Sequence, residues 1–64
     1  MMINGRELRL SGPRALSEIL EGEGYSQDRV AVEMNGSVVP RRAYRETSVS
    51  DADRLEIVGF VGGG

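Results

Sequence analysis

The 64-residue chain contains no cysteine, no histidine and no lysine. Without cysteine no disulfide staples the fold, no thiolate can act as a nucleophile, and the redox compartment leaves no mark. Without histidine the usual general base and the commonest metal ligand are missing. All eight basic residues are arginine, so there is no amine for a Schiff base or for an isopeptide bond. These absences exclude zinc chemistry and Cys/His or Ser/His catalysis within the chain. Carboxylates remain, but a lone carboxylate without a pocket is poor ground for an enzyme, and the chain is expected not to catalyse a reaction by itself.

Excess basic charge is missing too. A net charge of -2 argues against a nucleic-acid partner, which needs a basic surface. Long hydrophobic runs are absent: the longest cover a few residues, against roughly 20 for a spanning helix. No signal-peptide pattern opens the chain. The expectation is a cytoplasmic domain with no membrane partner.

A hydrophobic content of 39% with 28% charged residues suits one small folded domain. Asn4-Gly5 is the dipeptide a type I′ turn prefers, so the first ten residues read as a β-hairpin, with Leu8 and Leu10 alternating against Glu7 and Arg9. Pro13 suits the first turn of a helix. Leu16, Ile19 and Leu20 then form one apolar stripe, Glu18 and Glu21 face outward, and Gly22 and Gly24 are stop signals. Val30 to Met34 reads as a strand, Asn35-Gly36 as a second tight turn, and Ser37-Val38-Val39 as a short return strand ended by Pro40. A single helical turn or loop is expected over Pro40 to Tyr44, with Tyr44 as a core or edge aromatic. The turn Asp51-Ala52-Asp53 leads into a last strand from Arg54 to Val61. The order predicts an α+β fold, with a mixed sheet of four to five strands and one main helix packed on one face. The crossover rule is expected to bring the strand after the helix back beside the hairpin.

In the last strand, Leu55 and Ile57 alternate with Glu56, Val58 and Phe60. If the first two point into the core, Val58 and Phe60 face solvent and make a candidate contact patch. Gly62-Gly63-Gly64 follows: three residues without Cβ atoms, expected to be a flexible tail reaching roughly 10 Å past a domain of residues 1–61. Such an arm can enter a narrow channel. Arg41, Arg42 and Arg45 form a basic cluster that reads as a solvated face. Asp51 and Asp53 offer too few oxygen ligands for a metal loop and read as a turn.

The sequence resembles the ubiquitin-like β-grasp proteins, and within them the ThiS family of sulfur carriers of thiamine biosynthesis. The resemblance is carried by Asn35-Gly36, by Val39-Pro40-Arg41 with Tyr44 after it, and by Asp51-Ala52-Asp53, where the family more often has Gly between the acidic residues. Leu55-Glu56-Ile57-Val58 and Phe60-Val61-Gly62-Gly63-Gly64 complete it. The resemblance implies that an adenylating enzyme of the ThiF type, related to ubiquitin-activating enzymes, docks on the sheet face at Val58, Phe60 and Glu56. Gly63 and Gly62 would give access and the Gly64 carboxylate would be activated, with ATP and magnesium on the partner and no cofactor or metal on this chain. A persulfide donor or cysteine desulfurase would supply sulfur, and a thiazole synthase of the ThiG type would consume the thiocarboxylate. The free chain is expected to be a monomer. Three alternatives stay open on the sequence: a molybdopterin-synthase small subunit with the same terminal chemistry, a ubiquitin-like protein modifier, and a plain interaction module with an inert tail.

Overall fold

A computed structural model describes residues 1–59. The hairpin forms where Asn-Gly demands it: β1 (Met2–Ile3) pairs with β2 (Arg6–Glu7), and Asn4 and Gly5 both take positive φ, at 51° and 79°. Asn35 and Gly36 repeat the solution at 54° and 88°, between β4 (Val30–Met34) and β5 (Ser37–Val39). Asparagine is among the few residues with a Cβ that tolerate this backbone, and glycine meets no penalty there.

The single α-helix α1 runs Leu16–Gly22 and buries Leu16, Ile19 and Leu20. Pro13 does not open it. Instead Arg14–Ala15 forms a short strand, β3, antiparallel to β6 (Ser48–Val49), a pairing that two-residue segments do not announce in a sequence. That pairing also explains how the helix does without a side-chain cap: its first N–H groups are taken by carbonyls, Leu16 N to Thr47 O at 2.8 Å and Ser17 N to Tyr44 O at 3.1 Å. The far end closes as a Schellman motif. Tyr25 N donates to Leu20 O at 2.9 Å and Gly24 N to Glu21 O at 3.0 Å, with Gly24 at a φ of 88°.

The main sheet has five strands in the order β2-β1-β7-β4-β5, with β7 (Arg54–Gly59) in the centre. The expected adjacency of the post-helix strand and the hairpin is therefore corrected. β4 lies two places from β1, and the last strand fills the slot between them, parallel to β1 and antiparallel to β4. The crossover rule concerns handedness, not adjacency, and leaves such a slot open. β7 is the strand with most to gain from it. It is the longest, and its Leu55 and Ile57 are buried between the flanking strands and the helix.

One core joins the layers: Ile3, Leu16, Ile19, Leu20, Val30, Val32, Tyr44, Val49, Leu55 and Ile57 are all buried, with Met1 beside them. Arg41–Ala43 is a single 3-10 turn that delivers Tyr44 to this core, where the ring is buried and its hydroxyl donates to Val30 O at 3.3 Å. No helix among the described residues is long and apolar enough to cross a membrane.

Leu55 is fully buried at the sheet centre. Leu55→Ala should therefore cost about 2–5 kcal/mol in urea unfolding, a large share of the stability of a domain this small. A loss below about 1 kcal/mol would contradict the central position of this strand.

Candidate functional site: the central strand and its open face

The backbone of β7 is held from both sides by ladders, and at its start and middle by asparagine side chains. On one side, Met2 and Ile3 pair with Arg54 and Leu55. The regular ladder stops when the chain turns at Asn4, yet Asn4 continues it. Its backbone N donates to Leu55 O at 2.9 Å. Its side-chain Oδ1 then accepts from Ile57 N at 2.7 Å, and Nδ2 donates to Ile57 O at 3.1 Å. The amide group acts as one more peptide unit of β1. On the other side, Asn35 Oδ1 accepts from Arg54 N at 2.9 Å while Asn35 N donates to Arg54 O at 2.8 Å.

Asn35 is held in turn by the acidic turn before β7. Its Nδ2 donates to Asp53 Oδ1 at 2.9 Å, and Asp53 Oδ2 accepts from Ser50 N at 2.8 Å. Asp51 accepts from Leu10 N at 2.8 Å and from the Met1 nitrogen at 3.2 Å. These contacts lower both carboxyl pKa values from the usual 3.8, through the backbone hydrogen bond from Leu10 for Asp51 and from Ser50 for Asp53. The reading of this segment as a turn holds. Its role in clamping the central strand had no signal beyond the Asn-Gly and Asp-x-Asp patterns, because its contacts join residues as far as 50 positions apart.

The helix covers one sheet face and leaves the other open. On that open face the register sets Val38, Glu33 and Glu56 side by side across β5, β4 and β7. Ala31 and Val58 make the adjoining pair. Val38 and Val58 are the exposed large hydrophobics among the described residues, at 71% and 61%. Glu56 and Val58 thus point outward as the alternation predicted. Val38 and Glu33, which complete the patch, were missed because cross-strand register is not written in any single strand. Phe60, Gly62, Gly63 and Gly64 lie outside the described residues, as does the proposed boundary at residue 61. Arg41, Arg42 and Arg45 are exposed, and Arg41 Nε donates to Gln27 O at 3.1 Å.

The profile of the ThiS family matches residues 1–64, the whole chain. The chain belongs to the ThiS family. The fold agrees: the crystal structure of the thiamine biosynthesis protein ThiS from Geobacter metallireducens superposes with a TM-score of 0.80 at 33% identity, covering 98% of this chain and 96% of that one. The architecture is thus the β-grasp expected of a ThiS-family protein. The sulfur carrier protein ThiS of Bacillus subtilis is 29% identical over 65 residues, spanning 98% of its length. A protein named thiazole synthase from Paramagnetospirillum magneticum is 41% identical over 64 residues. The chain spans only 20% of that longer relative. ThiS-family members are sulfur carriers of thiamine biosynthesis, and this chain has the family's small β-grasp body.

Two outcomes follow from the clamp. Asn4→Gly keeps the turn's backbone freedom but removes both side-chain bonds to Ile57, and should cost about 1–3 kcal/mol by urea unfolding. An unchanged midpoint would show that the side-chain bonds contribute nothing. The second concerns pH. The folded-state pKa of Asp53 is depressed below 3.8, so its contribution is complete above that value and is lost as pH falls through the lower folded pKa. Melting temperatures taken from pH 5 downward should fall less steeply for Asp53→Asn than for the native chain. Equal slopes below 3.8 would remove Asp53 from the acid response.

Proposed function

We propose that this protein is the sulfur carrier that supplies a thiazole synthase in thiamine biosynthesis, with Gly64 as the residue that bears sulfur. The observation that carries this reading is the family match over the whole of residues 1–64, the final glycines included. The chemistry suits the chain. A carrier has to present a carboxylate on a sterically bare arm and a face for partners to hold, and neither task needs cysteine, histidine or lysine.

On this reading an adenylating enzyme of the ThiF type docks on the open sheet face through Glu56, Val58 and Phe60 and takes the glycine arm to its own ATP and magnesium. The Gly64 carboxylate oxygen attacks the α-phosphorus and pyrophosphate leaves, giving an acyl-adenylate. The terminal sulfur of a persulfide, formed on a donor such as a cysteine desulfurase, attacks the acyl carbon and expels AMP. A thiol then cleaves the acyl disulfide and releases the Gly64 thiocarboxylate, a soft nucleophile for the synthase. Gly63 and Gly62 keep the arm narrow. The relative named thiazole synthase, of which this domain resembles a part, supports the synthase as the consuming partner. The free carrier is a monomer on this reading and works in the cytoplasm.

Intact-mass measurement tests this after co-expression with an adenylating enzyme and a cysteine desulfurase. The carrier should gain the mass difference between sulfur and oxygen, and a chain lacking Gly64 should gain nothing. An unmodified mass under conditions that load the Bacillus subtilis protein would refute the reading. Phe60→Asp should leave the melting temperature near that of the native chain and slow loading at least about tenfold by disrupting an interface core. Normal loading of that variant would place docking elsewhere.

A further inference from the structure

Asn35-Gly36 is a chemically labile pair as well as a turn. Asparagine is among the thermolabile residues, and a following glycine sets no Cβ in the way of attack by its own backbone nitrogen on the amide. Both residues are exposed to water, and among the described residues nothing beyond the chain neighbours stands within 4 Å of where a Cβ on Gly36 would lie. The folded chain nevertheless pins the Asn35 amide to the next strand. Oδ1 accepts from Arg54 N at 2.9 Å, and Nδ2 donates to Asp53 Oδ1 at 2.9 Å. Turning the amide towards Gly36 N means giving up both bonds. Asp53 is fixed in its own place, with Oδ2 accepting from Ser50 N at 2.8 Å.

We propose that Asn35 is a self-modification site, whose deamidation by water unlatches the start of β7. Gly36 N attacks Asn35 Cγ and closes a succinimide ring, and its proton leaves with Nδ2 as ammonia. Water then opens the ring, at Cγ to give aspartate or at the backbone carbonyl carbon to give isoaspartate. The net change is one water consumed and one ammonia released. Either product is wrong for the latch. In aspartate an oxygen takes the place of Nδ2, so two carboxylates meet where a donor met an acceptor, and they repel. Isoaspartate adds a backbone carbon to a tight turn whose length sets the register of β4 with β5. The clamp thus slows the reaction, and the reaction, once it has occurred, keeps the clamp from closing. Asn4-Gly5 has the same sequence in other surroundings: its amide faces the Ile57 backbone and the Tyr25 hydroxyl, with no carboxylate opposite among the described residues. The inference stands apart from the carrier reading.

Peptide mapping by mass spectrometry follows both Asn-Gly bonds in the native chain and in the chain unfolded by urea, at one temperature and neutral pH. Asn35 should convert in both, at least about tenfold more slowly when folded, since a local opening has to come first. The deamidated chain, separated from the rest by its extra charge, should melt roughly 4–8 °C lower, and Asn35→Asp should do the same. Adding Asp53→Asn to Asn35→Asp should raise the melting temperature again, because donor and acceptor then exchange places. Adding it to Asn4→Asp should raise nothing. Equal conversion in folded and unfolded chains would overturn the shielding and the proposal with it. So would the absence of conversion in urea, or a deamidated chain that melts as the native one does. A double variant at positions 35 and 53 that melts no higher than Asn35→Asp would remove Asp53 as the group that the new carboxylate opposes.

Discussion

Everything in this fold is arranged around the hydrogen bonds that seat the last strand in the middle of the sheet. The backbone of β7 is paired by β1 on one side and by β4 on the other. β1 contributes only two residues, too few to hold a six-residue neighbour. The Asn4 amide makes up the difference by standing in for a peptide unit at Ile57. Asn35 does related work at Arg54. Both asparagines sit at positive φ in tight turns. One residue type therefore meets two demands: a backbone that most side chains resist, and an amide that mimics the backbone.

This double use explains what was legible in the sequence. The dipeptides Asn4-Gly5 and Asn35-Gly36 announced two hairpins because the φ requirement is local. The helix stripe, the alternation of Leu55 and Ile57, and the acidic turn were local patterns too, and each was found. What escaped was non-local. Neither the slot between β1 and β4 nor the pairing of Arg14–Ala15 with Ser48–Val49 leaves a periodic trace. Pro13 looked like a helix start because its fixed φ suits one, while the carbonyls of Thr47 and Tyr44 take the first helical N–H groups three and four residues further on. On the open face, Glu56 and Val58 came from alternation within one strand, whereas Glu33 and Val38 needed the register between three.

The acidic residues divide between the turn before β7 and the open face of the sheet. Where the strand begins, Asp51 and Asp53 are engaged with backbone N–H groups and serve the fold. On the open face, Glu33 and Glu56 are cross-strand partners, and neither makes an ion pair among the described residues. Asp51 and Asp53 lie in the turn before β7, whereas Glu56 of β7 and Glu33 of β4 face the open side of the sheet.

The parallel pairing of β1 with β7 has a further consequence for how the chain comes to exist. Residues 2 and 3 find their partners at residues 54 and 55, so the first strand made waits for the last. Until β7 arrives, β1 and β4 flank an empty lane and the core lacks Leu55 and Ile57. Contacts this distant in sequence close late and slowly. Folding is thereby tied to the segment immediately ahead of the glycines. A chain cut short before β7 has no centre to its sheet, and a chain that has folded already holds in place the strand from which residues 60–64 continue.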